Sequence, residues 1–80
     1  MSYVPVETIS CFIKELVDRG FTLKEISYIS GIRAETISRW KNCKWGSIRF
    51  REAEMLTTSF GYHIGEVWPG YWEGMFDHVA

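Results

Sequence analysis

The sequence predicts an all-α fold, a compact bundle of five short helices forming a single domain over residues 1–80. Three observations predict it. Apolar residues recur at intervals of three and four, the repeat of a helix that buries one stripe. Glycines and hydroxyl caps punctuate those stretches at short spacing. No alternation of apolar and polar residues persists long enough to read as a strand. Apolar residues make up 46% of the 80-residue chain, enough to build a small core and too many for a disordered tail.

In chain order, Ile9, Phe12, Ile13, Leu16 and Val17 form one apolar stripe and predict a first helix over residues 6–19. Gly20 follows where a left-handed cap residue is wanted. Thr22, with Glu25 three residues later, forms a capping box that opens a second helix from about Leu23 to Ser30. Phe21 and Ile26 flank that box as a hydrophobic staple, and Gly31 stops the helix. A third helix begins near Ala34, carries Ile37 and Trp40 inward and stops near Asn42. After the connection "CKWGS", Ser47 is expected to cap a fourth helix from about Ile48 to Ser59. Its inward residues are Phe50, Leu56 and either Ala53 or Met55. Gly61 ends it, and "HIGEVW" makes a single turn with Ile64, Val67 and Trp68 as apolar members. Trp45, in the connection, either covers the core or meets a partner, and core is the expectation. The aromatic tail, about residues 69–80, holds Tyr71, Trp72, Met75 and Phe76. Left exposed, it would be a sticky patch. It either folds back over the helices or pairs with a second subunit; fold-back is the expectation.

Several functional classes are not expected. No apolar run approaches the roughly 18 residues of a membrane helix, and the start lacks the basic-then-apolar order of a signal peptide. A cytoplasmic protein is therefore expected. Cys11, Cys43, His63 and His78 are scattered without zinc-ligand spacing, so two reduced cysteines and no metal are expected. No nucleophile–base pair, paired carboxylates or glycine-rich phosphate loop stands out, so neither an enzyme nor a cofactor is expected.

The net charge is −1, but its distribution is uneven. Residues 33–51 carry Arg33, Arg39, Lys41, Lys44, Arg49 and Arg51 against the single acid Glu35. The remainder holds Lys14, Arg19 and Lys24 against nine acids. This predicts one basic face on an otherwise acidic body.

The second and third helices, joined by a tight glycine turn with the second of the pair polar on its outer face, describe a helix-turn-helix. The inward positions fall on Ile26, Ile32, Ile37 and Trp40, the small helix-crossing position on Ser27 and the turn on Gly31. Over about residues 7–69 the chain resembles the lambda-repressor and Cro-like family of bacterial and phage regulators. The resemblance rests on "TLKEISYIS", "GIRAETISRWKN", the helix before them, the helix after a basic connection and the closing "IGEVW". Two positions depart from the family pattern. Ser30 stands where a small apolar residue usually precedes the turn glycine, leaving Ile29 partly exposed or the second helix rotated. Cys43 stands where the family often ends its recognition helix with glycine.

The resemblance implies a sequence-specific binder of double-stranded DNA, a phage or prophage repressor or Cro-like protein acting by occupying an operator, with no small-molecule ligand. It places Arg33, Ala34, Glu35 and Ser38 nearest the base edges. Arg33 suits the two acceptors of guanine; Glu35 suits a cytosine amino group or orients a neighbouring arginine. Thr22, Thr36, Arg39, Lys41, Asn42 and Lys44 would hold the DNA backbone. A homodimer, forming mainly on DNA, is compatible with it. Rival readings are a phage excisionase or other architectural DNA binder, an antitoxin that represses its own operon, and a protein-interaction module with a degenerate motif. For the charged residues taken singly, a solvated surface is the plain alternative.

Overall fold

The computed structural model describes residues 3–44 and 46–72, and the expectations for Trp45, Met75, Phe76 and His78 lie outside them. The described chain is mostly helical with one small sheet. Strand β1 (Tyr3–Pro5) leads into α1 (Val6–Asp18), α2 (Leu23–Ser30) and α3 (Ala34–Lys41). Strand β2 (Ser47–Arg49) then precedes α4 (Phe50–Ser59) and α5 (Ile64–Val67). A further helical turn begins at residues 70–72.

The all-α expectation thus needs a correction. β1 and β2 pair antiparallel, with Tyr3 opposite Arg49, Val4 opposite Ile48 and Pro5 opposite Ser47. Each strand is three residues long with only its middle residue buried. One buried residue per strand is too short a pattern to read as alternation. The predicted fourth helix is corrected with it: Ser47 is no cap, Ile48 is a strand residue and α4 starts at Phe50. Burial decides the matter, because Val4 and Ile48 meet across the ribbon and together close one side of the core. Pro5 suits the change from strand to helix, since its ring fixes φ and its missing N–H costs no helical bond there.

The core gathers Ile9, Phe12, Ile13 and Leu16 of α1, Ile26 of α2, Ile37 and Trp40 of α3, Ala53 and Leu56 of α4, and Ile64 of α5. Of the two candidates in α4, Ala53 is fully buried and Met55 is 44% exposed. The capping box of α2 is complete. The Glu25 N–H donates to Thr22 Oγ1 at 3.1 Å, and the Thr22 N–H donates to Glu25 Oε1 at 2.9 Å.

Three helices end in the same way. After α1 the N–H groups of Gly20 and Phe21 donate to the carbonyls of Val17 and Leu16. After α4 those of Gly61 and Tyr62 donate to Thr58 and Thr57. After α3 those of Cys43 and Lys44 donate to Trp40 and Arg39. This crossed pair of bonds turns the chain out of a helix through one left-handed residue. Gly20 and Gly61 supply it at φ +108° and +83°, and Cys43 does so at +55°.

The described part of the tail packs back onto its own chain. Tyr71 stacks on Phe50 of α4 at 5.9 Å between ring centroids. Trp72 stacks on His63 at 5.5 Å, and its Nε1–H donates to the Gly65 carbonyl at 3.1 Å. His63 in turn caps α5, its Nδ1 accepting from the Gly65 N–H at 2.9 Å. Among the described residues, no helix is long and apolar enough to cross a membrane.

Candidate nucleic-acid interface

The α2–α3 pair is set by its turn. Gly31 takes φ +78°, which a residue with a Cβ adopts only with strain. Ile32 follows at 7% exposure, so the chain dips into the core between the two helices. Ser30, the unusual residue before the glycine, is buried but fully bonded. Its Oγ donates to the Ile26 carbonyl at 2.7 Å and accepts from the Ile32 N–H at 3.2 Å. Ser27 Oγ donates to the Ile32 carbonyl. Ile29 is 43% exposed as a result, because Ser30 takes the inward position.

From this turn α3 runs eight residues and buries only Ile37 and Trp40. Apart from Thr22 on α2 and Arg33 at the N-cap, the residues predicted at the site lie on its other sides or just past its end. Arg33, Ala34, Glu35 and Arg39 are exposed, and Thr36, Ser38 and Lys41 are half-buried. Asn42 and Lys44 are exposed at the exit. Ala34, Ser38 and Lys41 fall at i, i+4 and i+7 and form one outer stripe; Glu35, Arg39 and Asn42 form the stripe beside it. Thr22 is exposed at the start of α2. Its capping box occupies the N–H groups of Thr22 and Glu25, so the first-turn amides left without an intrahelical partner are those of Leu23 and Lys24.

The cations at α3 make no close ion pair among the described residues. Among the described residues the one ion pair is Arg19–Glu15 at 2.9 Å, at the end of α1. Among the described residues, none of the six bases of residues 33–51 is paired with a carboxylate. Glu35 therefore orients no arginine by an ion pair, although Arg39 lies one turn on. Its place in the first turn of α3 gives it a helix-stabilising role, since an acid there meets the positive end of the helix dipole. Arg39 and Lys41 likewise sit in the last turn, where cations are favoured. Arg33, at the N-cap, gains nothing from the dipole and makes no cap hydrogen bond. Elsewhere, Arg19 is held above its already high pKa, first by the Tyr62 hydroxyl that accepts from Nη1 at 2.8 Å, and then by the nearby Glu15 carboxylate.

Arg49 and Arg51 belong to the basic segment but have no assigned contact. Arg49 is exposed on β2 and Arg51 is exposed on α4. Ser27 and Ser30 stand out in the sequence by their places beside the turn, but the bonds they make, and the bond from Ser10, depend on how the helices sit together and carry no local sequence signal. No protein-family model matches this chain, and no curated protein or solved structure matches it.

Proposed function

We propose that this protein binds double-stranded DNA in a sequence-dependent way and regulates transcription by occupying an operator, without catalysis. In this reading α2, Gly31 and α3 are a helix-turn-helix of the lambda-repressor and Cro-like kind, and α3 enters the major groove. One observation carries the reading: α3 buries only a narrow stripe and turns Glu35 and Arg39 outward, with Arg33 exposed at its N-cap and Lys44 exposed just past its end, and among the described residues none of these three cations has a carboxylate partner. Cations at both ends of a groove-sized helix suit phosphate and base edges together. Base reading falls to Arg33, Ala34, Glu35 and Ser38. Backbone contact falls to Thr36, Arg39, Lys41, Asn42 and Lys44, with Thr22 contributing through the α2 N-terminus.

The architectural reading gains little. A strand does follow α3, but β2 pairs back to β1 and leads straight into α4, so it makes no hairpin wing. The test is duplex binding measured against salt, on intergenic DNA from the source genome and on unrelated duplex. Binding should weaken by roughly 0.9 logarithmic units per phosphate contact for each tenfold rise in salt. One duplex should be preferred by about a thousandfold or more. Absence of binding near 50 mM salt would replace this reading with that of a protein-interaction module.

A further inference from the structure

The helix α3 is pinned to the rest of the protein at both ends by hydroxyl groups. At its start, Ile32 has its N–H bound by Ser30 Oγ and its carbonyl bound by Ser27 Oγ. Both halves of that peptide position are thus held by α2. At its end, the last-turn carbonyls can be accounted for one by one. Ser38 accepts from the Asn42 N–H, Arg39 from Lys44 and Trp40 from Cys43. The remaining one, Lys41, accepts from Ser10 Oγ of α1 at 2.6 Å. Ser10 is 2% exposed, and Ser30 is 5% exposed.

We infer that Ser10, Ser27 and Ser30 are positioning residues that fix the height and rotation of α3 on the domain, and through it the register of the surface that α3 presents. This rests on the reading of α3 as the DNA-contacting helix. Apolar burial is non-directional, and α3 buries only Ile37 and Trp40. A hydrogen bond holds over a few tenths of an ångström and a limited angle. Bonds at both ends of an eight-residue helix therefore define its placement in a way that two buried side chains do not. They also explain the serine at residue 30, where a small apolar side chain would fill the space but leave the Ile32 N–H without this acceptor.

The experiment compares Ser10→Ala, Ser30→Ala and Ser10→Cys, the last keeping a donor at that place on a larger atom and as a weaker one. In free protein, amide hydrogen exchange should quicken at α3 and at residues 42–44 more than in α1 or α4. On DNA, well below the melting temperature, the ratio of preferred to unrelated duplex affinity should fall about tenfold or more, in the range of one misread base pair. Affinity for unrelated duplex and its salt slope should stay close to wild type, because phosphate contacts tolerate small shifts. Ser10→Cys should fall between, and it decides the matter if alanine is not tolerated. Exchange that quickens evenly over the whole domain, or an unchanged affinity ratio in a destabilised variant, would overturn the inference. If the wild-type protein binds no duplex, the proposed function fails, while the exchange data still decide whether the serines hold α3.

Discussion

Cys43 holds a backbone conformation that costs a side-chain-bearing residue about 1–2 kcal/mol, and it does so at φ +55° in the turn that ends α3. Gly20 and Gly61 make the same turn without that cost. Cys43→Gly should therefore stabilise the protein, by about 0.5–1 kcal/mol once glycine's extra chain entropy is set against the relieved strain. Thermal unfolding should shift up by a few degrees, and a fall would show that the Cys43 side chain contributes something beyond its backbone. Two other residues separate the kinds of DNA contact proposed for α3. Lys44→Ala should weaken binding to all duplexes alike and lower the salt slope by about one. Arg33→Ala should cost about 1–3 kcal/mol on the preferred duplex and relax discrimination at one position. Equal losses from both variants on every duplex would remove Arg33 from base reading.

Among the elements, α5 depends on a side chain that arrives from beyond it. A Cβ placed on Gly65 would lie 2.5 Å from Trp72 Nε1. Gly65→Ala should therefore displace the indole, destabilise the domain by about 1–3 kcal/mol as overpacking does, and alter tryptophan fluorescence. An unchanged spectrum and melting curve would place Trp72 elsewhere in solution. The helices were legible in the sequence because each carries its own boundary chemistry: the Thr22–Glu25 box, and glycines at 20, 31 and 61. The ribbon was not, because its signal is one buried residue in each of two strands far apart in the chain. The face of α3 was legible from Ile37 and Trp40 alone. What the sequence withheld was pairwise: Ser10 with Lys41, Trp72 with Gly65, Tyr71 with Phe50. Each joins elements whose relative placement no local spacing encodes. Ala53 over Met55 belongs here too, since only the angle at which α4 crosses the core chooses between them.

Across the whole molecule, the described part of the tail is held within its own chain. Tyr71 and Trp72 pack on α4 and on the cap of α5 within one chain. Removing residues 71–80 should then lower the melting temperature equally at every protein concentration. A tight dimer that disappears on truncation, with the fold intact, would show that the tail's main partner is a second copy. Sedimentation of both forms checks this. The β1–β2 ribbon carries a different consequence, in time rather than in space. All of α1, α2 and α3 lie between its strands in sequence. The two ends must be brought together against loop entropy before their pairing is rewarded. On a ribosome, β1 emerges first and waits for β2. The α2–α3 pair, whose contacts are local, can form meanwhile. Ile48→Ala should cost about 2–5 kcal/mol and spend nearly all of it on faster unfolding, leaving the refolding rate almost unchanged. Stopped-flow refolding reads this directly, and a variant that refolds slowly would make the ribbon part of the folding nucleus. On this account the ribbon is the last part of the protein to close, and it governs how long the folded state lasts.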